Sequence, residues 1–403
     1  MKDLSSLVKI NLRRKRVLVR VDLNIPKCGE QVEDASRIEA MVPTIKRLFQ
    51  KKAKIIILSH LGRPKQGTKN NLSLSSIIPE LSKHLSFAKI IFCKDCIGAS
   101  VSRAIQSSQP NEIVLLENLR FHDGEERNDQ TFARLLSKNG DIYVNDAFSV
   151  SHRQHASVVG ITKHLPAFAG LSLKRELRHL DKILKKPKKP SLGIIGGSKI
   201  STKIGVIKGL TKKLDYLIIG GGMANTFIFN QGIRIGKSLY EKNTEKITSM
   251  INNTAKKNNC EILLPIDFIV TTTITKNGLV KQAHLNNIPD QHIIADIGPK
   301  TIKIFAEKIK NSKTILWNGP LGIFEIEPFN KGTYSLAKKV AKLTKENKME
   351  SIAGGGDTIS AIIKAGVAKS FTYTSLAGGA FLEWLEGKEL PGIKALRINK
   401  KMI

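Results

Sequence analysis

The chain has 403 residues, 41% hydrophobic and 25% charged. This is a globular composition too long for one ordinary core, so two domains are expected. Lys+Arg total 66 against 34 Asp+Glu, a formal net charge of +32, which brings a nucleic-acid partner into consideration. The lysines are scattered, however, and the densest runs, Arg13 to Arg16 and Lys185 to Lys189, lack the interleaved aromatics of a stacking platform. Such a surface also attracts anionic metabolites. Cys28, Cys93, Cys96 and Cys260 make no disulfide scaffold. Cys93 and Cys96 form a C-x-x-C pair, but no second pair completes a four-ligand zinc site, so reduced structural thiols in a cytoplasm are expected. MKDLSSLVKINLRRKR has no apolar h-region, so no signal peptide is expected, and no apolar run reaches membrane-spanning length.

Taken in order, Val17 to Leu23 reads as a buried strand interrupted by Arg20 and Asp22 and ended by Asn24 and Pro26. Ala40, Met41, Ile45 and Leu48 then have helical spacing, with Arg37 in the first turn. Lys54 to Ser59 is a second strand and runs directly into His60-Leu61-Gly62-Arg63-Pro64. Glu112 to Leu116 runs into Glu117-Asn118-Leu119-Arg120, and Asp141 to Val144 into Asn145-Asp146-Ala147-Phe148, with Ser151-His152-Arg153 following. Each apolar run therefore ends in a polar loop with an arginine, at Arg20, Arg63, Arg120 and Arg153, and Arg37 is added from a helix. Open α/β sheets bind ligands at the carboxyl ends of parallel strands. The arginine fork takes carboxylate and phosphate oxygens two at a time. Converging arginines imply a small ligand with more than one negative charge.

Leu171 to Leu184 reads as a helix, apolar at 173, 177, 180 and 184, and its exit at Pro187 and Pro190 marks the domain boundary. Leu192 to Ile195 is a buried strand leading into Gly196-Gly197, with Lys199 and Lys203 four apart. A helix starting near Ser198 would set both ammonium groups on one face, beside its electropositive end, a place that suits a polyanion. Gly220-Gly221-Gly222 at the end of the strand Tyr216 to Ile219 indicates close backbone approach, to a ligand or to a neighbouring element. Pro265 inside EILLPIDFIV argues for an edge or a bend, and 271–289 for a hairpin or excursion. Thr314 to Trp317 leads into Asn318-Gly319-Pro320 and Glu325, which is either a ribose ligand or a surface glutamate. Ser351 to Ala353 leads into Gly354-Gly355-Gly356-Asp357-Thr358. Backbone N–H groups there can cradle phosphate, and Asp357 can hold Mg²⁺ with help from phosphate oxygens; Asp and Thr are also good helix caps. Gly378-Gly379 could serve as a hinge. No G-x-x-x-x-G-K-[ST], opening G-x-G-x-x-G, nucleophile elbow or zinc-hydrolase pattern is present. An arginine-lined half and a lysine-and-glycine-lined half imply phosphoryl transfer between a nucleotide and a small acid, which asks for alignment and positive charge.

The stretches VRVDLNIP at 19–26, SHLGRP at 59–64, LLENLRFH at 115–122, NDAF with SHRQHAS at 145–157, GGSKISTK at 196–203, WNGPLGIFE at 317–325 and GGGDT at 354–358 occur in order along the chain. Together they closely resemble phosphoglycerate kinase over essentially the whole length. The resemblance implies two Rossmann-like α/β domains with mainly parallel sheets, a hinge and an interdomain cleft. Residues 1–170 would bind phosphoglycerate, joined by a tail at about 385–403; 171–186 would be an interdomain helix and 187–384 the nucleotide domain. It implies a phosphotransferase with a carboxyl acceptor, carrying phosphate reversibly between 1,3-bisphosphoglycerate and ADP to give 3-phosphoglycerate and ATP. A monomeric, cytoplasmic, glycolytic enzyme with Mg²⁺ and no covalent intermediate would follow, with no membrane partner.

Carried over, Asp22, Leu23, Asn24, Arg37, His60, Leu61, Gly62, Arg63, Arg120 and Arg153 would hold phosphoglycerate, with Arg37 nearest the transferred group. Lys199 would stabilise the phosphoryl in flight, so Arg37, Lys199 and Lys203 are the expected catalytic residues. Gly196 and Lys203 would meet nucleotide phosphates and Glu325 the ribose. Gly355, Gly356, Asp357 and Thr358 would cover the phosphates, with Asp357 on the metal. The chain departs from the family pattern at Leu23, where phenylalanine is usual, at Ile25, at Ser198, and at Phe148-Ser149-Val150-Ser151. It also has SLAGGA at 375–380, where STGGGA is usual and a hinge is expected. A nucleic-acid binder on a kinase scaffold and a kinase for another small carboxylate are the alternative expectations.

Overall fold

The computed structural model describes residues 10–28, 31–64, 70–276 and 278–399. The start of the amino-terminal stretch (1–9), the Cys28 side chain and the end of the tail (400–403) lie outside the described residues. Two compact units divide the chain, Met1–Arg178 with Glu389–Ile403, and His179–Lys388.

The strands of the first unit are β1 (Arg16–Arg20), the short hairpin β2 (Lys27–Cys28) and β3 (Gln31–Val32), β4 (Lys54–Leu58), β5 (Lys89–Cys93), β6 (Glu112–Leu116), β7 (Ile142–Asn145) and β8 (Ala167–Ala169). Six of them form one sheet in the order β5-β6-β4-β1-β7-β8, with every neighbouring pair parallel. Their apolar runs are continuous rather than alternating because a parallel sheet is covered on both faces. Its helices are α1 (Ser36–Gln50), α2 (Ile78–His84), α3 (Ala99–Ser107) and α4 (Gln130–Ser137). In α1 the buried stripe is Ile38, Met41, Thr44, Ile45 and Leu48; Ala40 is exposed, so the stripe begins at Ile38 instead. The chain crosses from one side of β1 to the other between β6 and β7.

The second unit contains β9 (Ser191–Ile195), β10 (Tyr216–Ile219), β11 (Glu261–Leu263), β12 (Asp267–Thr271), β13 (Lys281–His284), β14 (Ile293–Ile297), β15 (Thr314–Asn318), β16 (Glu350–Gly354) and β17 (Tyr373–Ser375). Its main sheet runs β11-β10-β9-β15-β16-β17, all parallel. In chain order this is 3-2-1-4-5-6, the doubly wound arrangement that reverses direction between its first and fourth strands, here β9 and β15. The run around Pro265 splits into β11 and β12, which belong to different sheets. Residues 271–289 supply β13, paired antiparallel with β12 in a small sheet completed by β14. The remaining helices are α5 (Leu171–Lys185), α6 (Ile204–Thr211), α7 (Gly221–Phe229), α8 (Glu245–Lys257), α9 (Pro299–Lys310), α10 (Lys331–Lys345), α11 (Gly356–Lys364), α12 (Gly379–Leu385) and α13 (Pro391–Asn399).

The division between the units falls within α5. The first N–H groups of that helix have no partners inside it. The Leu173 N–H donates to Asp146 Oδ1 at 3.1 Å and the Leu171 N–H to Thr44 Oγ1 at 2.9 Å. Asp146 is buried, and its Oδ2 has no hydrogen-bond partner. Burial raises its carboxyl to about 7, although Thr44 and the Leu173 and Ser172 backbone act the other way. A carboxyl whose folded pKa is raised contributes stability fully at low pH and loses it as pH climbs toward the folded value. Asp146→Asn cannot ionise, so its unfolding free energy relative to the parent should rise between about pH 4 and 7 and level off above that. The rise should be a few kcal/mol at most, at about 1.4 kcal/mol per pKa unit. Urea denaturation across that range checks this; a pH-independent difference would show that Asp146 stays ionised throughout.

Candidate active site

Four adjacent strands of the first sheet, β6-β4-β1-β7, bring their carboxyl ends to one edge, and the predicted ligand residues follow them. Beyond β1, Asp22 pairs with Arg37 from α1 and accepts a hydrogen bond from Ser149 Oγ beyond β7. The Asn24 N–H donates to Asp22 Oδ1 at 3.0 Å, and Asn24 Oδ1 accepts the Gly62 N–H at 2.8 Å. Gly62 takes φ +63°, the left-handed region that favours glycine, and its carbonyl accepts from Arg120 at 2.5 Å. Arg120 Nε lies 2.9 Å from Glu126 Oε1, and burial pulls the guanidinium pKa down. Arg153 is half-buried and close enough for its charge to act on Arg120. Together with burial, the larger cause, Arg153 also brings His152 down to about 4. Arg63 is exposed in its loop.

His60 is held neutral: burial first, then Arg20, Arg120, His155 and Arg37, lower its pKa well below the usual value. Arg20 Nη2 lies 3.0 Å from His60 Nδ1. A guanidinium can only donate, so Nδ1 accepts and the ring proton sits on Nε2. Asp22, Asn24, Arg37, His60, Gly62, Arg120 and Arg153 therefore belong to one linked cluster.

One arginine is placed differently from the sequence reading, and two of the expected ligand residues can contribute only backbone. Arg20 is fully buried and does not join the other arginines. Its Nε donates to Ser157 Oγ at 3.0 Å, and that hydroxyl donates to the fully buried Glu125 at 2.6 Å. Burial would raise the pKa of Glu125, but His155, Arg20 and Ser157 together lower it. Arg20 is thus an internal strut, turned inward by a buried anion. Leu23 and Leu61 have their side chains in the hydrophobic core, so only their backbone can meet a ligand.

In the second unit the reversal between β9 and β15 is occupied by Lys203. Its Nζ donates to the Gly196 carbonyl at 2.7 Å and to Asn318 Oδ1 at 2.7 Å. Asn318 Nδ2 donates to the Gly354 carbonyl at 2.7 Å, which carries the linkage to β16. Desolvation lowers the Lys203 pKa to about 8, against an opposing pull from Asp357. A Cβ on Gly196 would run into the Pro320 carbonyl, and one on Gly319 into Gly196. The helix expected near Ser198 begins only at Ile204, after a short turn at Ser201–Lys203. Lys199 and Lys203 therefore do not share a helical face. Lys199 is exposed in the loop, while Lys203 turns inward to oxygens at the strand ends.

The start of α11 completes this half. Gly355 takes φ +96°, and Gly356 and Asp357 are exposed. Thr358 is buried, and its Oγ1 accepts the Gly319 N–H at 2.6 Å. Glu325 is exposed in the turns between β15 and α10. The glycines at 220–222 make room for protein backbone: a Cβ on Gly221 would lie 2.8 Å from the Gly197 carbonyl oxygen, and one on Gly222 2.7 Å from that of Ser198. Sequence reasoning gave no role to Asn318, Ser149 or Glu125. Asn318 stood in plain view at a strand end before Gly-Pro; no sequence signal identified the other two.

A family model described as phosphoglycerate kinase matches residues 7–388. The chain belongs to the phosphoglycerate kinase family. It is 48% identical over 386 residues to the phosphoglycerate kinase of Agrobacterium fabrum, covering 96% of each chain. It is 46% identical over 388 residues to that of Granulibacter bethesdensis, covering 96% of this chain and 98% of the relative. The solved structure of the Coxiella burnetii phosphoglycerate kinase superposes with a TM-score of 0.87 at 39% identity, over 98% of each chain. That of the Pyrococcus horikoshii enzyme gives 0.81 at 28%, over 98% of this chain and 99% of the other. Family membership accounts for the ordered motifs and for the two parallel sheets.

Because Gly196 packs backbone on backbone at the reversal, Gly196→Ala should destabilise the second unit by about 1–3 kcal/mol or more, the usual cost of overpacking. It should also loosen the Lys203 contacts. Denaturant unfolding measures the first effect. A substituted protein of parental stability would mean that the β9 and β15 ends are not in contact.

Proposed function

We infer that the chain catalyses reversible transfer of the acyl phosphate of 1,3-bisphosphoglycerate to ADP, giving 3-phosphoglycerate and ATP, the phosphoryl-transfer step of glycolysis. The observation that carries the reading is the desolvated Lys203 ammonium at the doubly wound reversal, in a chain of this family. In the direction of ATP synthesis a β-phosphate oxygen of ADP forms a bond to phosphorus, and the bond from phosphorus to the acyl oxygen breaks. The electron pair leaves on the carboxylate, and no proton need move. The protein therefore has to supply position and positive charge.

The first unit would bind the phosphoglycerate through the cluster Asn24, Arg37, His60, Arg63, Arg120 and Arg153, with Asp22 orienting Arg37. His60, neutral with its proton on Nε2, would donate a hydrogen bond to an oxygen of the acid. Arg37 would lie nearest the transferred group. In the second unit Lys203 would meet nucleotide phosphates and Lys199 the phosphoryl in transit, Glu325 the ribose, and Gly355 to Thr358 the phosphate cover. Thr358 would act chiefly by fixing the Gly319 loop. Asp357 offers one exposed carboxylate beside this cradle, a donor set that fits Mg²⁺ arriving on nucleotide phosphates and does not amount to an all-protein cage. The bound ion would neutralise phosphate charge.

Among the described residues no helix is long and apolar enough to cross a membrane. By resemblance to the family we propose a monomer working in the cytoplasm on small-molecule substrates, without a membrane or nucleic-acid partner.

Lys203→Ala should lower kcat/KM by roughly 100-fold or more, about 3 kcal/mol, as expected for loss of a preorganised charge. Steady-state kinetics within threefold of the parent would remove Lys203 from the mechanism. Arg37→Ala should depress turnover while calorimetry shows ADP affinity intact. Since Lys203 loses its charge as pH rises through about 8, kcat/KM for ADP should fall along an alkaline limb near that pH. Lys203→Arg should displace the limb upward; a limb unmoved by that substitution belongs to another group.

A further inference from the structure

We propose that Asp95, Cys96 and His122 form a binding site for a borderline divalent cation of the zinc class. The C-x-x-C pair has no second pair in the sequence, but the fold recruits different partners. Cys93 closes β5, and Cys96 sits in the following turn, completed by Gly98 at φ +101°. His122 comes from the segment beyond β6, the strand paired with β5. The donor atoms of Asp95, Cys96 and His122 all lie within 4.8 Å of one another. The three thus offer an oxygen, a sulfur and a nitrogen, the mixed set that suits zinc with water in a fourth position. Magnesium and calcium want oxygen throughout.

The surroundings are built to hold these groups. Asp95 Oδ1 accepts the Cys96 N–H at 2.6 Å and the Ile97 N–H at 3.4 Å, fixing the turn. Asn139 Nδ2 donates to the Cys96 carbonyl at 2.9 Å. The His122 ring stacks on Phe132, with centroids 5.0 Å apart. His122 Nε2 lies 2.7 Å from Asp95 Oδ1, so a cation would take the place of the proton between them. Zinc bonds of about 2.0–2.3 Å require neighbouring donors to stand roughly 3.3–3.7 Å apart. The 2.7 Å between His122 and Asp95 would have to open, and the other separations, at most 4.8 Å, to settle into that range. Cys96 is fully buried, while the side chains of His122 and Asp95 are 30% and 46% exposed, which leaves an open side for entry and for water. Burial first, then Asp95, Glu125 and Glu117, hold the Cys96 thiol pKa well above its usual value, so an incoming cation would have to displace the thiol proton. Once loaded, the site would pin the turn after β5 to the segment after β6, two residues beyond Arg120.

The test uses the full chain, stripped with a chelator and dialysed against Zn²⁺, with bound metal counted by elemental analysis. One Zn²⁺ per chain at low micromolar free metal is expected. Co²⁺ should give a thiolate charge-transfer band in the near ultraviolet. Cys96→Ser and His122→Gln should each weaken binding by about 100-fold or more and abolish that band, while Cys93→Ser should retain both. Circular dichroism and unfolding curves establish that each variant is folded. Should either variant misfold, Asp95→Asn serves in its place, with an expected loss of tenfold or more. Absence of stoichiometric binding, a Co²⁺ complex without the thiolate band, or binding that survives Cys96→Ser overturns the proposal.

Discussion

The second unit depends on one cation held by oxygens that the sheet itself cannot satisfy. Parallel strands end in carbonyl groups that look for donors, and where β9 and β15 diverge no further strand supplies them. The Lys203 ammonium fills that role with the Gly196 carbonyl and the Asn318 amide. Asn318 passes the linkage on to β16, and Thr358 ties the Gly319 turn to the start of α11. Taking this charge out of water is costly, which shows in its lowered pKa. A phosphate nearby would offset that cost, so the arrangement is poised for an anion.

The first unit manages charge in the opposite way. Its cations are set against carboxylates from neighbouring elements: Arg37 against Asp22, Arg120 beside Glu126, and Arg20 linked through Ser157 to Glu125. Arg37 and Arg120 thus keep defined positions without a ligand, which would lower the ordering cost of the binding proposed for them. The chain's large positive charge is otherwise spread over lysines of the surface.

Much of the architecture could be read from local pattern. Continuous apolar runs at Val17, Ile55, Val114 and Ile194 marked strands covered on both faces, and polar residues directly after them marked the edge where the charged side chains gather. The errors share a physical origin in long-range contacts. Arg20 looked like its neighbours in sequence, but Glu125, over a hundred positions later, draws it inward. The lysine loop had helical spacing, yet Lys203 is captured by the nearby Gly196 carbonyl and by Asn318, 115 residues away, and the helix starts only at Ile204. The strand order of either sheet is likewise a set of distant pairings with no local signature. Asn318 was missed for the same reason: its importance lies in what it touches across the sheet.

The hydrogen bond from Arg20 to His60 has a consequence for selectivity. With one ring nitrogen occupied from behind and the other carrying the proton, the imidazole offers the pocket a donor and no lone pair. An incoming group is thus screened by hydrogen-bond polarity as well as by charge. Carboxylate, phosphate and hydroxyl oxygens can answer that N–H, whereas an ammonium at the same spot would meet proton facing proton. If His60 meets the acid as proposed, a buried arginine that never touches the ligand would turn amino analogues away.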